Sequence, residues 1–454
     1  MTTTLEAPTR PHGAPALVVR EYRFEVAKLL AQVRIRIVLA ACWLGPAVLV
    51  AAMSTQSSLP TDTVFGRWMG QTGWAGALVA LSFAGSWVLP LVTSLVAGDI
   101  FASEDRLGTW RHLLVAVRSP RRIFVAKALA SLTVIGIVTV GLAASSIAGG
   151  LLGSGSHALV GLDGQLMSPN HAATAVLLAW LSALAPTLAF AAVGLLGSVA
   201  LGRSPIGLLV PAVLAIALQL VQLLPVPVAV RVAFPSWAFI AWRGLFTQPG
   251  QAAPLILGIV VSLIWAVVAT ALAYLMFVRR DFTDLAYDGA GRRVFVRAVL
   301  PLVALFAITV GAVAVATPAT GSGIGEVKLE RSLATAYGHL YRMQATELNH
   351  PAVTEAQLDT SASCQKGGTP GPGTGAGSDW RCVVTWHIPG AGAIGQAIYQ
   401  LDVTPDGRYI ADGDGPQEVN GFFQVHTSSG DIPNPLWEFD GSVNLLSSIS
   451  TPKG

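Results

Sequence analysis

The residues with the clearest capacity for a specific role form a charged segment between two long apolar runs, at 99–121. Ser103 can cap a short turn that ends at Gly108, Thr109 can cap a second helix, and Ser119 with Pro120 suits the start of a third. Such capping predicts a shaped surface for a partner protein. From the charges alone, a juxtamembrane loop that only maintains orientation is the simpler interpretation.

Two cysteines in the C-terminal third could form a covalent link. Cys364 and Cys382 flank a glycine-rich loop, and a disulfide between them would stabilise the surrounding domain. Free thiols and a metal site are the alternatives. The same region carries four histidines, at His339, His350, His387 and His426. No paired cysteine or histidine spacing typical of zinc accompanies them, so the sequence predicts a disulfide and no metal site.

The sequence contains none of the common catalytic or nucleotide-binding motifs. It has no phosphate-binding G-x-x-x-x-G-K-[ST], no H-E-x-x-H and no G-x-S-x-G. We therefore predict no catalytic residues and no cofactor bound to this chain. The apolar runs also lack the mid-depth charges that ion-coupled transporters use, which disfavours a secondary transporter.

The elements that position these residues are long apolar runs. Of 454 residues, 53% are hydrophobic and 12% are charged, against roughly 25% charged in a soluble domain. A membrane span needs about 20 apolar residues as a helix. Seven runs meet this length, at about 37–54, 74–98, 128–152, 172–200, 206–224, 253–278 and 298–316. The fold class predicted is an α-helical polytopic membrane protein of about seven transmembrane helices.

The positions of Lys and Arg predict how the chain is oriented. Basic residues concentrate before the first run, after the second, and between the sixth and seventh, while the alternate loops carry few. The positive-inside rule then places the N-terminus in the cytoplasm and the C-terminus outside the plasma membrane. Residues 318–454 carry a net charge of −7, which leaves +10 on residues 1–317. This split does not resemble a nucleic-acid-binding surface.

Two further segments flank the runs. Residues 20–34 place apolar side chains on one helical face, which predicts a helix lying in the membrane interface with that face toward lipid. Residues 225–244 are apolar but interrupted by prolines. They suggest a re-entrant or interfacial hairpin with Trp237 and Trp242 at the outer membrane interface. An ordinary apolar loop is the alternative.

The composition changes after Pro318. An apolar stripe predicts a helix over 326–347, and alternating patterns predict strands near 382–388, 399–403 and 408–410. We therefore expect a small α+β extracytoplasmic C-terminal domain. The predicted organisation is a cytoplasmic tail and interfacial helix (1–36), a six-span unit (37–278), a cytoplasmic loop with a seventh span (279–316) and the outer domain (317–454).

The segment around 97–127 also carries a family resemblance. Ala97-Gly-Asp, the run from Ser103 to Leu114, Arg118-Ser-Pro-Arg-Arg and Lys127 together resemble the type-2 membrane subunit of ATP-binding-cassette exporters. The resemblance extends over about 20–280 and implies that 99–121 is the coupling helix that docks on an ATPase. The contact or shaping residues that it implies are Glu104, Arg106, Gly108, Thr109, Trp110 and Leu114. The seventh span and the outer domain depart from the six-span plan of that family.

These features together predict a permease subunit that exports a hydrophobic or amphipathic molecule. The resemblance implies a partner ATPase dimer that binds ATP and magnesium, and a second permease that is either another copy or a different subunit. Membrane lipid surrounds the chain, and no nucleic-acid partner is expected. The alternative is a membrane-anchored sensor or assembly scaffold whose outer domain binds a ligand or a protein.

Overall fold

The computed structural model of the chain describes residues 18–56, 59–117, 119–202, 206–282, 291–318, 321–367, 372–427 and 430–447. These residues form a predominantly helical unit followed by a C-terminal region rich in β-sheet. The first 17 residues of the predicted tail, and 283–290 of the predicted cytoplasmic loop, lie outside the described residues.

The helical unit is built from α-helices joined by short turns and by one small hairpin. Its helices are α1 (Val19–Ala31), α2 (Val33–Ser54), α3 (Gly73–Phe83), α4 (Leu89–Leu107), α5 (Trp110–Val117), α6 (Pro120–Ser154), α7 (Pro169–Ser182), α8 (Leu184–Leu201), α9 (Ile206–Leu220), α10 (Val228–Val232), α11 (Ala252–Val278), α12 (Gly291–Val294) and α13 (Leu300–Ala316). The hairpin consists of β1 (Leu159–Val160) and β2 (Leu166–Met167).

Several helices join end to end into membrane-length elements. Among the described residues, six are long and apolar enough to cross a membrane: Val33–Ser54, Gly73–Leu107, Pro120–Ser154, Pro169–Leu201, Ala252–Val278 and Arg292–Ala316. The chain is therefore a multi-pass membrane protein. The predicted run at 206–224 forms the shorter helix α9 and a 3₁₀ turn, Val221–Leu223, so the described part of the chain contains six membrane-length helices rather than the predicted seven.

The second and last of these elements share a local irregularity. Residues 88–92 and 299–303 both read Val-Leu-Pro-Leu-Val, and a π-helical turn precedes each proline, at Ala84–Val88 and Phe295–Val299. Proline lacks an N–H and crowds the preceding turn, so the helix widens there. In the first case Gln219 of α9 donates to the Gly85 carbonyl at 3.1 Å, which supplies a partner that the helix itself does not provide.

The C-terminal domain places one long helix against an antiparallel sheet. Its elements are α14 (Glu326–Glu347), α15 (Glu355–Leu358), β3 (Ser361–Lys366), β4 (Gly377–His387), β5 (Ile394–Val403), β6 (Arg408–Gly413), α16 (Gln417–Asn420), β7 (Gln424–Thr427), β8 (Gly430–Pro433) and β9 (Glu438–Ser442). The main sheet has the order β3-β4-β5-β6-β9, and β7 pairs with β8. The predicted helix and strands are confirmed.

The core of this domain lies between α14 and the sheet. Leu329, Leu333 and Tyr337 on the predicted stripe are buried. Cys364 and Cys382 lie directly opposite each other on β3 and β4 and form the predicted disulfide, with the two Sγ atoms 2.08 Å apart. The bond joins the edge strand β3 covalently to its neighbour β4.

The structure differs from the side-chain contacts expected of two segments, whose location in the membrane interface stays a prediction. The apolar face of α1 packs against other helices of the unit, with Leu29 buried there, and so is not left to lipid. Trp237 and Trp242 are also buried, inside a run of short helical turns. The indole N–H of Trp242 donates to the Phe239 carbonyl at 2.8 Å. Because that polar group is satisfied within the protein, the ring needs no contact with the membrane interface.

Candidate coupling site

The predicted coupling segment is a helix break followed by the short helix α5. The helix α4 runs without interruption through Ser103 and ends at Gly108, whose φ of +65° favours glycine. The expectation of a separate turn capped by Ser103 is therefore wrong, because the membrane helix itself extends this far. Ser119 does cap α6 and accepts from the Arg122 N–H, with Pro120 in the first turn, as predicted.

Four charged side chains hold this segment against the neighbouring helices. Glu104 and Lys127 are each 1% exposed, and their Oε1 and Nζ atoms lie 2.8 Å apart. Lys127 also pairs with Glu25 at 3.0 Å, while Glu104 accepts from Lys28 and from the Thr109 hydroxyl. We call Glu25, Lys28, Glu104 and Lys127 the coupling-end cluster. It joins α1, α4 and α6, and Thr109 links it to the start of α5.

A second set of contacts positions the first residue of α5. The indole N–H of Trp110 donates to Asp105 Oδ1 at 2.7 Å, and Arg280, beyond the end of α11, donates to Asp105 Oδ2 at 2.9 Å. The Trp110 ring lies 5.4 Å from that of Phe277 and 6.3 Å from that of Phe101, centroid to centroid. Trp110 is therefore a packing residue that ties α5 to α4 and α11.

The residues that the resemblance implied therefore divide into three groups by exposure. Glu104 and Trp110 are buried and face the helical unit, and Thr109 and Leu114 are half-buried. Arg106 and Gly108 are exposed. The buried members can shape the segment but do not lie on its surface. Their role toward an ATPase stays a prediction.

The exposed face of α5 contains residues that the sequence reasoning did not select. Arg111, His112 and Ala116 are exposed, and Val115 is 76% exposed. These residues give α5 a mixed apolar and basic face that is accessible to another protein. The helical period could have indicated this face, because Trp110, Leu113 and Leu114 already marked the opposite one. The roles of Glu25 and Arg280 had no comparable signal, since their partners are distant in sequence.

The loops at the other end of the helical unit contact the C-terminal domain. Arg67, between α2 and α3, pairs with Glu438 at 2.7 Å and with Asp440 at 3.3 Å. Arg408 of β6 also pairs with Asp440, at 2.9 Å, and donates to the Asp62 carbonyl at 2.6 Å. The acidic edge of the sheet is therefore bound to the first of these loops.

The loop after α9 supplies further contacts of the same kind. Arg243 pairs with Asp406 at 2.5 Å, and Arg231 donates to the Pro405 carbonyl. Burial opposes ionisation of Asp406, but the positive charge of Arg243 and hydrogen bonds from Thr404 and the Arg408 N–H outweigh it and lower its pKa to about 2. We call Arg67–Glu438, Arg67–Asp440, Arg408–Asp440 and Arg243–Asp406 the domain-end pairs.

The hairpin between α6 and α7 completes this interface. His339 of α14 lies with Nδ1 2.7 Å from the Asp163 carbonyl oxygen, and its Nε2 is 3.1 Å from Glu355. The Asp163 carboxylate accepts from the Gln248 N–H in the loop before α11. Three loops of the helical unit thus meet at one end beneath the C-terminal domain, and the coupling-end cluster lies at the other.

The structure offers no metal site within the ranges that it describes. No group of three or more His, Cys, Asp or Glu side chains in the described part of the chain could hold an ion. His339, His387 and His426 instead lie beside carboxylates, those of Glu355, Asp359 and Asp431. The absence of a cofactor stays a prediction.

Comparison with known proteins found a match to part of the helical unit. Residues 23–202 match a family model described as ABC-2 family transporter protein. The predicted resemblance to a type-2 permease is therefore confirmed over this range, which includes most of α1, the coupling segment and the first four membrane-length helices. The match supports a permease-type transport subunit, and the family implies partnership with an ATP-binding-cassette ATPase. No curated protein matches the chain.

Proposed function

We propose that the chain is the membrane subunit of an ATP-binding-cassette exporter that moves a hydrophobic or amphipathic molecule, driven by a separate ATPase dimer. A second permease, identical or different, would complete the transport path. One observation carries the proposal: the matched family range contains a short helix, α5, with an exposed face and a buried set of anchors. ATP and magnesium belong to the partner in this proposal.

The coupling-end cluster supports a mechanism for transmitting force. Lys127 pairs with Glu25 of α1 and Glu104 of α4, so a displacement of α5 acts on three helices together. Removing one member leaves a buried charge without its partner, which is costly in a low-dielectric interior. The helices around α5 therefore resist moving separately and respond as a unit to the ATPase.

The arrangement of loops supports seven crossings rather than six. The hairpin before α7 and the loop after α9 both contact the C-terminal domain. Since Pro169–Leu201 runs away from that end, α9 must return to it. Its 15 residues extend about 22 Å and the 3₁₀ turn adds about 6 Å, close to the thickness of the bilayer core. We propose that α9 is the fifth span.

The proposed orientation places α5 in the cytoplasm and the C-terminal domain outside. Exposed basic residues surround the coupling end, among them Arg23, Arg36, Arg111, Arg121 and Arg122. This distribution follows the positive-inside rule. The Cys364–Cys382 disulfide fits an oxidising compartment for the other end. The orientation would be contradicted if maleimide labelled both cysteines without any reductant, but only after the cells had been lysed.

The docking role of α5 can be tested through its exposed face. Val115→Asp adds a charge on the exposed face of α5 and leaves the coupling-end cluster unchanged. The chain should therefore insert normally but no longer bind its partner ATPase. We expect co-purification of a nucleotide-binding subunit to fall at least about tenfold, the equivalent of about 1.4 kcal/mol. Val327→Asp, an exposed valine of α14, is the matched control and should leave co-purification unchanged. Equal recovery with both variants would contradict docking at α5.

The sensor or scaffold function remains the second candidate because of the domain-end contacts. Three loops of the helical unit meet the C-terminal domain, so a ligand bound there could alter the positions of several helices. A scaffold needs no ATP. ATP-dependent export in proteoliposomes that contain both subunits would support the permease, and stable recovery of the chain with another protein but no ATPase would support the scaffold.

A further inference from the structure

A crevice beside the coupling-end cluster has the features of a ligand site. It lies between α1, α2, α4 and α6 and has a volume of about 110 Å³. One part is lined by charged side chains: Glu25, Lys28, Arg34, Asp99, Glu104 and Lys127. The other part is apolar and includes Val92, Leu95 and Val96. The crevice is therefore polar at one end and apolar at the other, as an amphiphile is.

One carboxylate in this crevice has an unused oxygen. Asp99 is 4% exposed, and its Oδ2 atom accepts from Arg34. Its Oδ1 atom is buried and has no hydrogen-bond partner among the described residues. A buried carboxylate oxygen without a donor is unfavourable, and such groups are rare without a reason. The described residues of the crevice therefore supply no hydrogen-bond donor to Asp99 Oδ1.

The charges of the crevice indicate what kind of donor fits. Its three acidic and three basic side chains balance, so a ligand with no net charge adds no uncompensated charge. Lys28 and Arg34 have side chains that are 34% and 50% exposed, so both cations remain accessible to an anionic group. A zwitterion can place its phosphate near these two residues and its ammonium near Asp99.

The apolar part of the crevice indicates where the rest of the ligand lies. Leu95 and Val92 are one and two turns from Asp99 on α4, about 6 Å and about 10 Å along the helix. Leu95 is 43% exposed, and this helix belongs to the membrane-length element Gly73–Leu107. An acyl chain can follow this face into the hydrocarbon while its headgroup stays at the charged end.

We propose that this crevice binds an aminophospholipid of the surrounding bilayer, with the ammonium group donating to Asp99 Oδ1 and the phosphate near Lys28 and Arg34. The lipid would hold α1 and α2 beside α4 at the coupling end. This proposal does not depend on export, because the binding is a property of the chain alone. Its failure would leave the proposed permease function untouched.

The test uses the full chain, purified in detergent and titrated with lipid, with bound adducts counted by native mass spectrometry. The probes are dioleoyl phosphatidylethanolamine, its N-methyl and N,N-dimethyl forms, and phosphatidylcholine. The first three ammonium groups carry at least one N–H and the last carries none. We expect adduct formation to fall at least about tenfold at the final methylation, since one charge-assisted hydrogen bond is lost. Equal binding of all four lipids would overturn the proposal.

A variant tests the residue directly. Asp99→Asn removes the negative charge with little change in shape, and should abolish the preference for phosphatidylethanolamine without altering phosphatidylcholine binding. Asp402→Asn makes the same change at an exposed position of β5 and should retain the preference. A preference that persists in Asp99→Asn would overturn the proposal. Dodecylammonium serves as a further probe. If it forms adducts and phosphatidylethanolamine does not, the proposal is also overturned, because the site then binds a simple cationic amphiphile.

Discussion

The two ends of the helical unit use the same chemistry, ion pairs, under different burial. In the coupling-end cluster, Glu104 and Lys127 are almost fully buried and join α4 to α6. Among the domain-end pairs, Arg67 and Glu438 are 12% and 35% exposed and join segments 371 residues apart. The first arrangement ties together helices of the matched family range, and the second attaches a domain outside that range.

This difference in burial predicts how much each ion pair contributes to the stability of the folded chain. A fully buried charge depends on its partner because water cannot replace it. A partly exposed charge that loses its partner is solvated instead, so the loss is small. We therefore expect the coupling end to be sensitive to single substitutions. The domain end should depend on several modest contacts and on the disulfide within the domain.

The largest effect is expected at the centre of the coupling-end cluster. Lys127→Met leaves Glu25 and Glu104 buried without their shared cation, at a cost of about 3–5 kcal/mol. The melting temperature of the solubilised chain should fall accordingly. Arg67→Met is the matched change at the domain end. It leaves Glu438 open to solvent and Asp440 still paired with Arg408, so we expect it to cost about 1 kcal/mol or less. Similar losses in the two variants would contradict the comparison.

A second prediction concerns the covalent bond within the C-terminal domain. Replacing both Cys364 and Cys382 by alanine should destabilise the domain by about 3 kcal/mol, because the unfolded chain gains freedom over their separation of 18 residues. Limited proteolysis should then cut the domain more rapidly and leave α1–α6 protected. Cys42→Ala, in α2, serves as the control and should not change the cleavage pattern of the domain. Faster cleavage at the coupling end would contradict separate stabilisation of the two regions.

The smallest of the three main effects is expected at Asp406 and depends on pH. The pKa of Asp406 is lowered to about 2 from 3.8, so its ionised form stabilises the folded state above the ordinary pKa, and this contribution is lost as pH falls toward 2. Asp406→Asn should cost about 2 kcal/mol at pH 7. The difference from the native chain should shrink between about pH 4 and pH 2. Thermal unfolding of the domain between about pH 7 and pH 2 measures it, and a difference that stays constant over this range would contradict the prediction.

The elements themselves were predictable where one local pattern dominates. The stripe over 326–347 specified α14, and the alternation near 382–388 specified β4, because each pattern fixes which face is buried. The break at Gly108 and the cap at Ser119 followed from residue types. The prediction at Ser103 was wrong because a cap-forming residue inside an established helix does not end it.

The buried tryptophans show the limit of such reasoning. Their positions in an apolar, proline-rich segment suggested the membrane interface, but Trp242 is buried within the helical unit, where its ring stacks on that of Phe65, far away in sequence. Sequence patterns cannot report a neighbour that is distant along the chain. The same limit applies to Arg67, Arg231 and Arg243, each of which has a partner in the last 60 residues.

The sequence by itself determined the apolar helices, the charge asymmetry, the disulfide and the resemblance to a permease, because these depend on local composition and spacing. Only the tertiary structure decided that Asp105 and Arg280 anchor the start of α5 and which charges Lys127 neutralises. It also decided that Asp99 keeps an unpaired oxygen in an amphipathic crevice. These properties depend on the distances between side chains from separate helices, and the low dielectric between those helices makes each such distance energetically important.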